Sequence, residues 1–429
     1  MTALAVIAIL FGFLAVGLPV ALATLIAGAI GLLWVGGPAT LLGILQTEPL
    51  TTASSYEIIS VPMFVLMAEF VIISGVADDL FRAANIWVGR LRGGLAMATA
   101  LAGAGFGAIS GSSTASAATL SSTSLPSMLK HGYEPKLAGG VVAISGTLAM
   151  LIPPSIALVL FGIIGNVSIS QLLIGGVIPG LVVTLAIMLT VAFLVWRDPH
   201  AAPAGRAYTM KEKFVSLKVV GPMLVLLFAV TGTIYSGIAT PTEASGAGAF
   251  VAMLLAVRER KLSLQTFLSA LRSCAHTTCM ILFIILSAHV FGYFFTLTRI
   301  TQELVAFVQT LPLPPLAVVA VILAGYLLLG IFMEQIAILI LTIPIILPVV
   351  VALGYSPVWL GVLIVITAEV GMVMPPLGLN VFVVARYTRR PIGELFRGVM
   401  PHIWAHFIVI AVLAAFPSII LWLPSTMSP

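Results

Sequence analysis

Gly146-Thr147-Leu148-Ala149-Met150-Leu151-Ile152-Pro153-Pro154-Ser155 returns in outline as Ala368-Glu369-Val370-Gly371-Met372-Val373-Met374-Pro375-Pro376-Leu377, 222 positions further on. The same shift lays Pro19 on Pro241, Pro126 on Pro348, Pro135 on Pro357 and Pro179 on Pro401, and Gly132-Tyr133 on Gly354-Tyr355, without a gap. Proline locks φ and deletes a helix hydrogen bond, so prolines that coincide mark breaks that coincide. The chain reads as two copies of one backbone.

The surroundings of these breaks are lipid-like. Of 429 residues, 61% are hydrophobic and 8% charged, with a mean hydropathy of +1.21, where a soluble domain carries about 25% charged residues. Apolar runs of spanning length recur, as at Ile58–Ser74, Gly180–Trp196, Met223–Ser236 and His402–Leu423. The first run, Ala3–Leu18, has no basic region before it and reads as a retained helix, not a cleaved leader. Two cysteines, Cys274 and Cys279, have no further partners for a zinc site or a disulfide frame. The formal charge of +5 is scattered through short loops, which argues against a nucleic-acid partner. No Ser–His–Asp or metal-ligand constellation is present, so enzyme chemistry is not expected.

The expected fold is an all-α polytopic membrane protein. Spans are read at about 4–18, 20–34, 58–75, 138–164 and 172–196, and in the second copy at about 223–239, 242–257, 279–297, 359–385 and 400–423. Residues 138–164 and 359–385 are Pro-broken helices, and 94–128 and 316–350 are re-entrant helical hairpins. The first repeat is thus 1–196, the second 222–429, with a linker at 197–221. Five crossings per copy oblige the second copy to begin on the opposite face. Basic residues agree: 18 of the 19 Lys and Arg fall on one side, and only Arg299 on the other. By the positive-inside rule the linker is cytoplasmic, both termini are periplasmic and the repeats are inverted.

Inverted repeats with broken helices are the pattern of secondary transporters, whose sites lie at mid-membrane where the copies meet. The first hairpin turns through Ser110-Gly111-Ser112-Ser113-Thr114-Ala115-Ser116, hydroxyls that cannot face lipid cheaply. The second turns through Met333-Glu334-Gln335, so that Ser112 aligns with Glu334. The double prolines free the carbonyls of Ala149 and Met150, and of Gly371 and Met372. Carbonyl, hydroxyl, amide and carboxylate oxygens suit a hard cation, with sodium expected and a proton on Glu334 or Glu369 competing. No Lys or Arg is placed at mid-membrane, so an anionic solute would meet helix N-termini, hydroxyls and bound cations. Thr240-Pro241-Thr242-Glu243 reads as a helix start with its capping glutamate. Glu69, His276 and His289 lack clustered partners and are assigned to packing or subunit contact.

With these residues in hand the chain resembles the large (M, or DctM-type) subunit of tripartite ATP-independent periplasmic transporters. The matching stretches are Gly111–Ser116, Gly146–Ser155, Ala239-Thr-Pro-Thr-Glu-Ala244 and Glu369-Val-Gly-Met-Val-Met-Pro-Pro-Leu-Gly-Leu-Asn380. The resemblance implies sodium-driven uptake of a small organic acid across a bacterial inner membrane. It implies as partners a small four-helix membrane subunit, expected on a separate polypeptide, and a periplasmic substrate-binding protein. It implies an elevator-type motion of hairpins and broken helices against a scaffold made of the first three spans of each copy. One Na+ site then falls on Ser112, Ser113, Thr114, Gly146 and Pro153, and the other on Met333, Glu334, Thr367, Gly371 and Pro375. Ser116, Ser155, Gly378 and Asn380 are the expected solute contacts. At the second tip the family commonly carries Asp after Met, where this chain has the longer Glu334. A stand-alone carrier of the same architecture, and a channel or scaffold subunit, are the rival readings.

Overall fold

The computed structural model describes residues 2–427 apart from Arg389, one of the basic residues in the charge count above. Helix α1 (Thr2–Ala15) leads into α2 (Val20–Ser54), α3 (Ser60–Ser74) and the short amphipathic α4 (Val76–Val88). α5 (Gly94–Ser110) and α6 (Ser113–Lys130) form a hairpin; α7 (Pro135–Gly146) and α8 (Ile156–Gly165) are halves of a broken helix, and α9 (Ile169–Arg197) follows. The second half begins with α10 (Met210–Tyr235), α11 (Pro241–Arg258), α12 (Leu264–Thr298) and a second short amphipathic helix, α13 (Ile300–Thr310). Then come the hairpin α14 (Pro315–Phe332) and α15 (Gln335–Ala352), the broken pair α16 (Pro357–Gly371) and α17 (Leu379–Thr388), and finally α18 (Ile392–Ala415) and α19 (Ser418–Ser425). Eight helices are long and apolar enough to cross a bilayer, and the described residues contain no strand. The fold is that of a multi-pass membrane protein.

Local chemistry sets the boundaries. Pro135, Pro241, Pro315 and Pro357 each open a helix, where a missing N–H costs nothing. Thr209 with Glu212, and Thr240 with Glu243, close full capping boxes on α10 and α11. Element starts recur at the spacing of the prolines: α6 at Ser113 and α15 at Gln335, α7 at Pro135 and α16 at Pro357. Between α7 and α8 a 3-10 turn, Thr147–Met150, precedes Pro153-Pro154, and Pro375-Pro376 separates α16 from α17. Both Pro–Pro peptides are cis.

Several helices outrun the apolar runs. α2 continues to Ser54 past a break at Gly37, whose φ of +75° suits glycine. α12 is a single helix of 35 residues, about 50 Å long, and takes in most of 258–278, read from sequence as a loop. α10 begins at Met210, inside the expected linker. Hydropathy ends where charge begins, but Lys and Arg stems can lie along a helix that carries on into water, so the helix continues. The expected last span, 400–423, is divided at Phe416-Pro417 into α18 and α19, because a proline disfavours helical geometry at the residue before it.

Packing relies on close approaches without side chains. Along α2 and α12, a Cβ on Gly28 would sit 3.0 Å from the Phe291 Cα, and one on Gly31 2.5 Å from the Phe294 ring. Phe291 and Phe295 meet edge to face, centroids 4.5 Å apart. α11 lies along α3, where a Cβ on Gly248 would come within 2.7 Å of the Met67 sulfur. α7 and α18 touch backbone to backbone: a Cβ on Gly398 would overlap the Lys136 carbonyl. Small residues permit such contact, which replaces the hydrophobic drive that lipid cannot supply. Large apolar side chains at Leu181, Leu185, Leu189, Phe193 and Phe228 face outward, as lipid contact requires.

Gly398→Ala is expected to lower stability by about 1–3 kcal/mol through overpacking, read as a lower thermal midpoint of the detergent-solubilised chain. Gly393→Ala, where nothing lies within 4 Å, is the control and should not lower it.

Candidate functional site

The first hairpin turns on Gly111, whose φ of +56° ends α5, and a Cβ there would meet Ile156 Cγ1 at 2.9 Å. Ser112 caps α6 by accepting from the Ala115 N–H at 3.4 Å, and its hydroxyl lies 3.4 Å from that of Thr114. The Ser110 and Ser116 hydroxyls bond across the turn at 2.6 Å. Gly146 of α7 seats directly on this tip: a Cβ would meet the Ala117 Cβ at 2.9 Å and the Ser113 carbonyl at 3.0 Å. Behind it, Gly107 presses on the backbone of Ala149 at 2.8 Å. The glycines let the tip and the first break share one small volume.

At the second tip, Met333 is extended and Glu334 stands exposed at the start of α15 without a capping bond. Gln335, fully buried, donates to the Val365 carbonyl at 3.4 Å, and its own Oε1 has no partner. Gly371 packs on this hairpin: a Cβ would lie 2.6 Å from the Gly330 Cα and 2.6 Å from the Leu327 carbonyl. Thr367 donates to the Leu363 carbonyl at 2.7 Å.

The two halves meet at Ser113. Asn380 of α17 donates through Nδ2 to the Ser113 hydroxyl at 2.6 Å, both residues fully buried. Ser113 also lies beside Glu369 of α16, which has Glu334 within its electrostatic reach. Glu369 is 2% exposed, and neither of its carboxylate oxygens has a hydrogen-bond partner among the described residues. Asn380 Oδ1 and the Ser145 hydroxyl are likewise buried without a partner. Such groups are rare and costly, about 1–3 kcal/mol each. Oxygen acceptors left wanting a donor or a cation are therefore concentrated at the hairpin tips and breaks. This donor set fits a hard monovalent or divalent cation.

The sequence-expected residues divide in use. Ser112, Ser113, Thr114 and Gly146 come together at the first tip, while Met333, Glu334, Thr367 and Gly371 line the second. Pro153 is buried and Pro375 exposed, so the two breaks differ in their cover. Of the freed carbonyls, that of Met150 accepts from the Ser155 hydroxyl, Gly371 from the Met374 N–H at 3.0 Å and Met372 from the Asn380 N–H at 3.2 Å. Of the expected solute contacts, only Asn380 reaches across to the opposite tip. Ser116 is held by Ser110; Ser155 caps α8 through the Leu158 N–H at 3.2 Å; Gly378 makes a left-handed turn against the Phe396 ring.

Three residues add to the expected ion and solute contacts, Glu369 having been expected only as a competing proton carrier. Gln335 and Glu369 differ from their counterparts Ser113 and Thr147 in the first copy, and that asymmetry was the available signal. Arg386 is the third. It lines a groove of about 640 Å³ with Thr114, Ala115, Ala118, Val383 and Tyr387, so a cation stands within one groove of the first tip. Seven residues of helix carry Arg386 from Leu379 back beside α6. His289 and Glu69 also prove to be partnered, with Glu48 at 2.6 Å and Ser273 at 2.5 Å.

Comparison with known proteins agrees with this architecture. The family described as "Tripartite ATP-independent periplasmic transporter, DctM component" matches residues 7–419. The chain is 34% identical over 375 residues to a C4-dicarboxylate TRAP transporter large permease protein of Pseudomonas aeruginosa, covering 87% of each. It is 33% identical to a sialic acid TRAP transporter large permease protein of Vibrio cholerae, over 86% of each. Among solved structures, the YdaH transporter of Alcanivorax borkumensis is similar in fold alone, with a TM-score of 0.66 at 14% identity and 90% coverage of each chain. A buried constellation of oxygen donors at paired hairpin tips, carried by a chain whose sequence matches from residue 7 to 419, places this protein in the DctM family as the large permease component of a tripartite ATP-independent periplasmic transporter.

Proposed function

We propose that this subunit imports a small organic anion, a carboxylate, across a bacterial inner membrane by sodium symport, together with a separate small four-helix membrane subunit and a periplasmic binding protein. The observation that carries this reading is the set of partnerless buried oxygens on Glu369, Gln335 and Asn380, gathered around Ser113 and both hairpin tips. Sodium, when bound, would supply positive charge to these oxygens and to an anionic solute beside them. Ser112, Ser113, Thr114, Gly146 and the Pro153 break would hold one ion. Met333, Glu334, Thr367, Gly371 and the Pro375 break would hold the other, with Glu369 between them.

The chain's own residues suggest how solute and ions act together. The groove beside Thr114 offers the Arg386 guanidinium and the Tyr387 phenol over an apolar floor of Ala115, Ala118 and Val383. Guanidinium pairs with a carboxylate in a planar fork, so this edge suits an acid with a small apolar part. Because Asn380 of the same α17 holds the Ser113 hydroxyl, the groove and the first tip are joined by one short helix. We read the halves as inverted repeats, and the hairpins with the broken helices as a body that moves against α2, α3, α11 and α12. The recurrence of helix starts, and the contact of each hairpin with the other half's broken helix, support that reading. Protons in place of sodium at Glu334 or Glu369 form the competing reading, favoured by the partnerless Glu369 carboxyl.

In proteoliposomes supplied with the binding protein, replacing sodium by potassium at constant pH and constant pH gradient should abolish uptake. Persistence of uptake would transfer the coupling to protons. Ser112→Ala and Glu334→Ala should each remove the sodium dependence while the protein remains inserted; an unchanged sodium titration in either variant takes that residue out of the ion sites. Arg386→Gln should raise the KM for the solute about 10- to 100-fold, the loss of one charge-assisted hydrogen bond worth about 1.5–3 kcal/mol, with sodium activation retained.

A further inference from the structure

A cavity of about 780 Å³ is lined by α2, α11, α12 and the α8–α9 turn. Its volume lies within the usual range of small-molecule sites. By the charge reading it faces the periplasm. Four side chains of α2 and α12 form a closed set. Glu48, 6% exposed near the end of α2, accepts from His289 Nδ1 at 2.6 Å, from the Tyr293 hydroxyl at 3.0 Å and from the Thr52 hydroxyl at 3.1 Å. An ionised carboxylate only accepts, so the His289 proton on Nδ1 is committed to Glu48 and the free ring nitrogen is Nε2. A carboxylate that fixes the ring in this way selects both its tautomer and its orientation. None of this belongs to the hairpin tips.

The α8–α9 turn brings a second electropositive element. Ser168 caps α9, a helix of 29 residues with no acidic residue in its first turn, and Ser168 and Ser170 line the cavity. The other long helix that starts here, α11, already has its N-terminus occupied by the Glu243 carboxylate. The end of α9 is therefore the open one, with dipole and N–H groups available to an anion. The remaining lining is rich in hydroxyls, among them Thr51, Ser55, Tyr56, Thr242 and Thr296, and includes no Lys or Arg. Glu57 stands exposed at the edge. Glu48 is matched by the ring that it holds, whereas Glu57 would repel a second negative charge.

We propose that this cavity binds a hydroxylated monocarboxylate, its carboxylate accepting from the N–H groups at the N-terminus of α9 and from Nε2–H of a protonated His289, and its hydroxyls on the ring of Ser, Thr and Tyr side chains. Glu48 is a positioning residue, acting through His289. A four-carbon dicarboxylate fits less well, because its second charge has only Glu57 and hydroxyls to face. The proposal rests on the transport reading for its purpose, as a receiving site between the two bodies, but its binding chemistry is separately testable.

The test is carbethoxylation of His289 by diethyl pyrocarbonate, read by peptide mass spectrometry on the full chain in lipid nanodiscs. It is run near pH 6. D-Gluconate should slow modification of His289 several-fold, succinate clearly less and neutral sorbitol not at all, while exposed His276 reacts at one rate throughout. Ser168→Asp keeps a good helix cap but sets a negative charge at α9, and should abolish the gluconate effect. Glu48→Gln should abolish it as well. Absence of protection by gluconate, equal protection by succinate, or protection that survives Ser168→Asp overturns the proposal. Thermal stabilisation of the same preparation by sodium reports on the hairpin tips. Stabilisation without gluconate protection leaves the transport reading standing and removes this site; protection without stabilisation does the reverse.

Discussion

Within hydrocarbon no water is available to complete a backbone hydrogen bond, and this governs where the chain is allowed to stop being helical. Every interruption in the membrane region must be covered by protein, by water or by an ion. The double-proline breaks and the hairpin turns are such interruptions, and each is placed against another. Gly146 rests on the first tip and Gly371 on the second hairpin, both at distances that exclude any side chain. The Met150, Gly371 and Met372 carbonyls then find donors within their own segments. Backbone satisfaction at the breaks is thus achieved locally, and what remains unsatisfied is made of side-chain oxygens.

That remainder is unequal between the halves. The first tip presents hydroxyls, five of which bond to one another or to Asn380; the second presents Glu334 and Gln335, and the second broken helix adds Glu369. The negative charge is therefore concentrated in one copy and the hydroxyls in the other, with Ser113 and Asn380 joining them. The candidate site draws on side chains of both halves, which meet at the Asn380–Ser113 bond. Membership of the DctM family makes the chain a permease component, and its likeness to a solved transporter at 14% identity is one of fold alone.

Glu48 and His289 show a different solution to the same constraint. A buried carboxylate in a membrane protein demands several partners, and here three donors from α2 and α12 converge on it. Thr52 is four positions from Glu48, but His289 and Tyr293 are 241 and 245 positions away, which is why His289 read as solitary until the helices were packed. Arg386 was hidden for a similar reason. Only the packing of α17 along α6 carries it to Thr114.

From residues alone came what depends on local chemistry: apolar runs that can only be membrane helices, prolines that repeat and so locate two equivalent breaks, and polar tips that lipid would not tolerate. Proline acts on its own backbone whatever surrounds it, and so it is readable without a fold. Helix ends such as those of α2, α10 and α12 were not readable, because propensity carries a helix past the point where hydropathy falls. Nor were Gln335 and Arg386 legible as site members, nor the pairing of Glu48 with His289. Each depends on which distant helix lies alongside, a matter settled by close glycine contacts between helices that no local sequence pattern encodes.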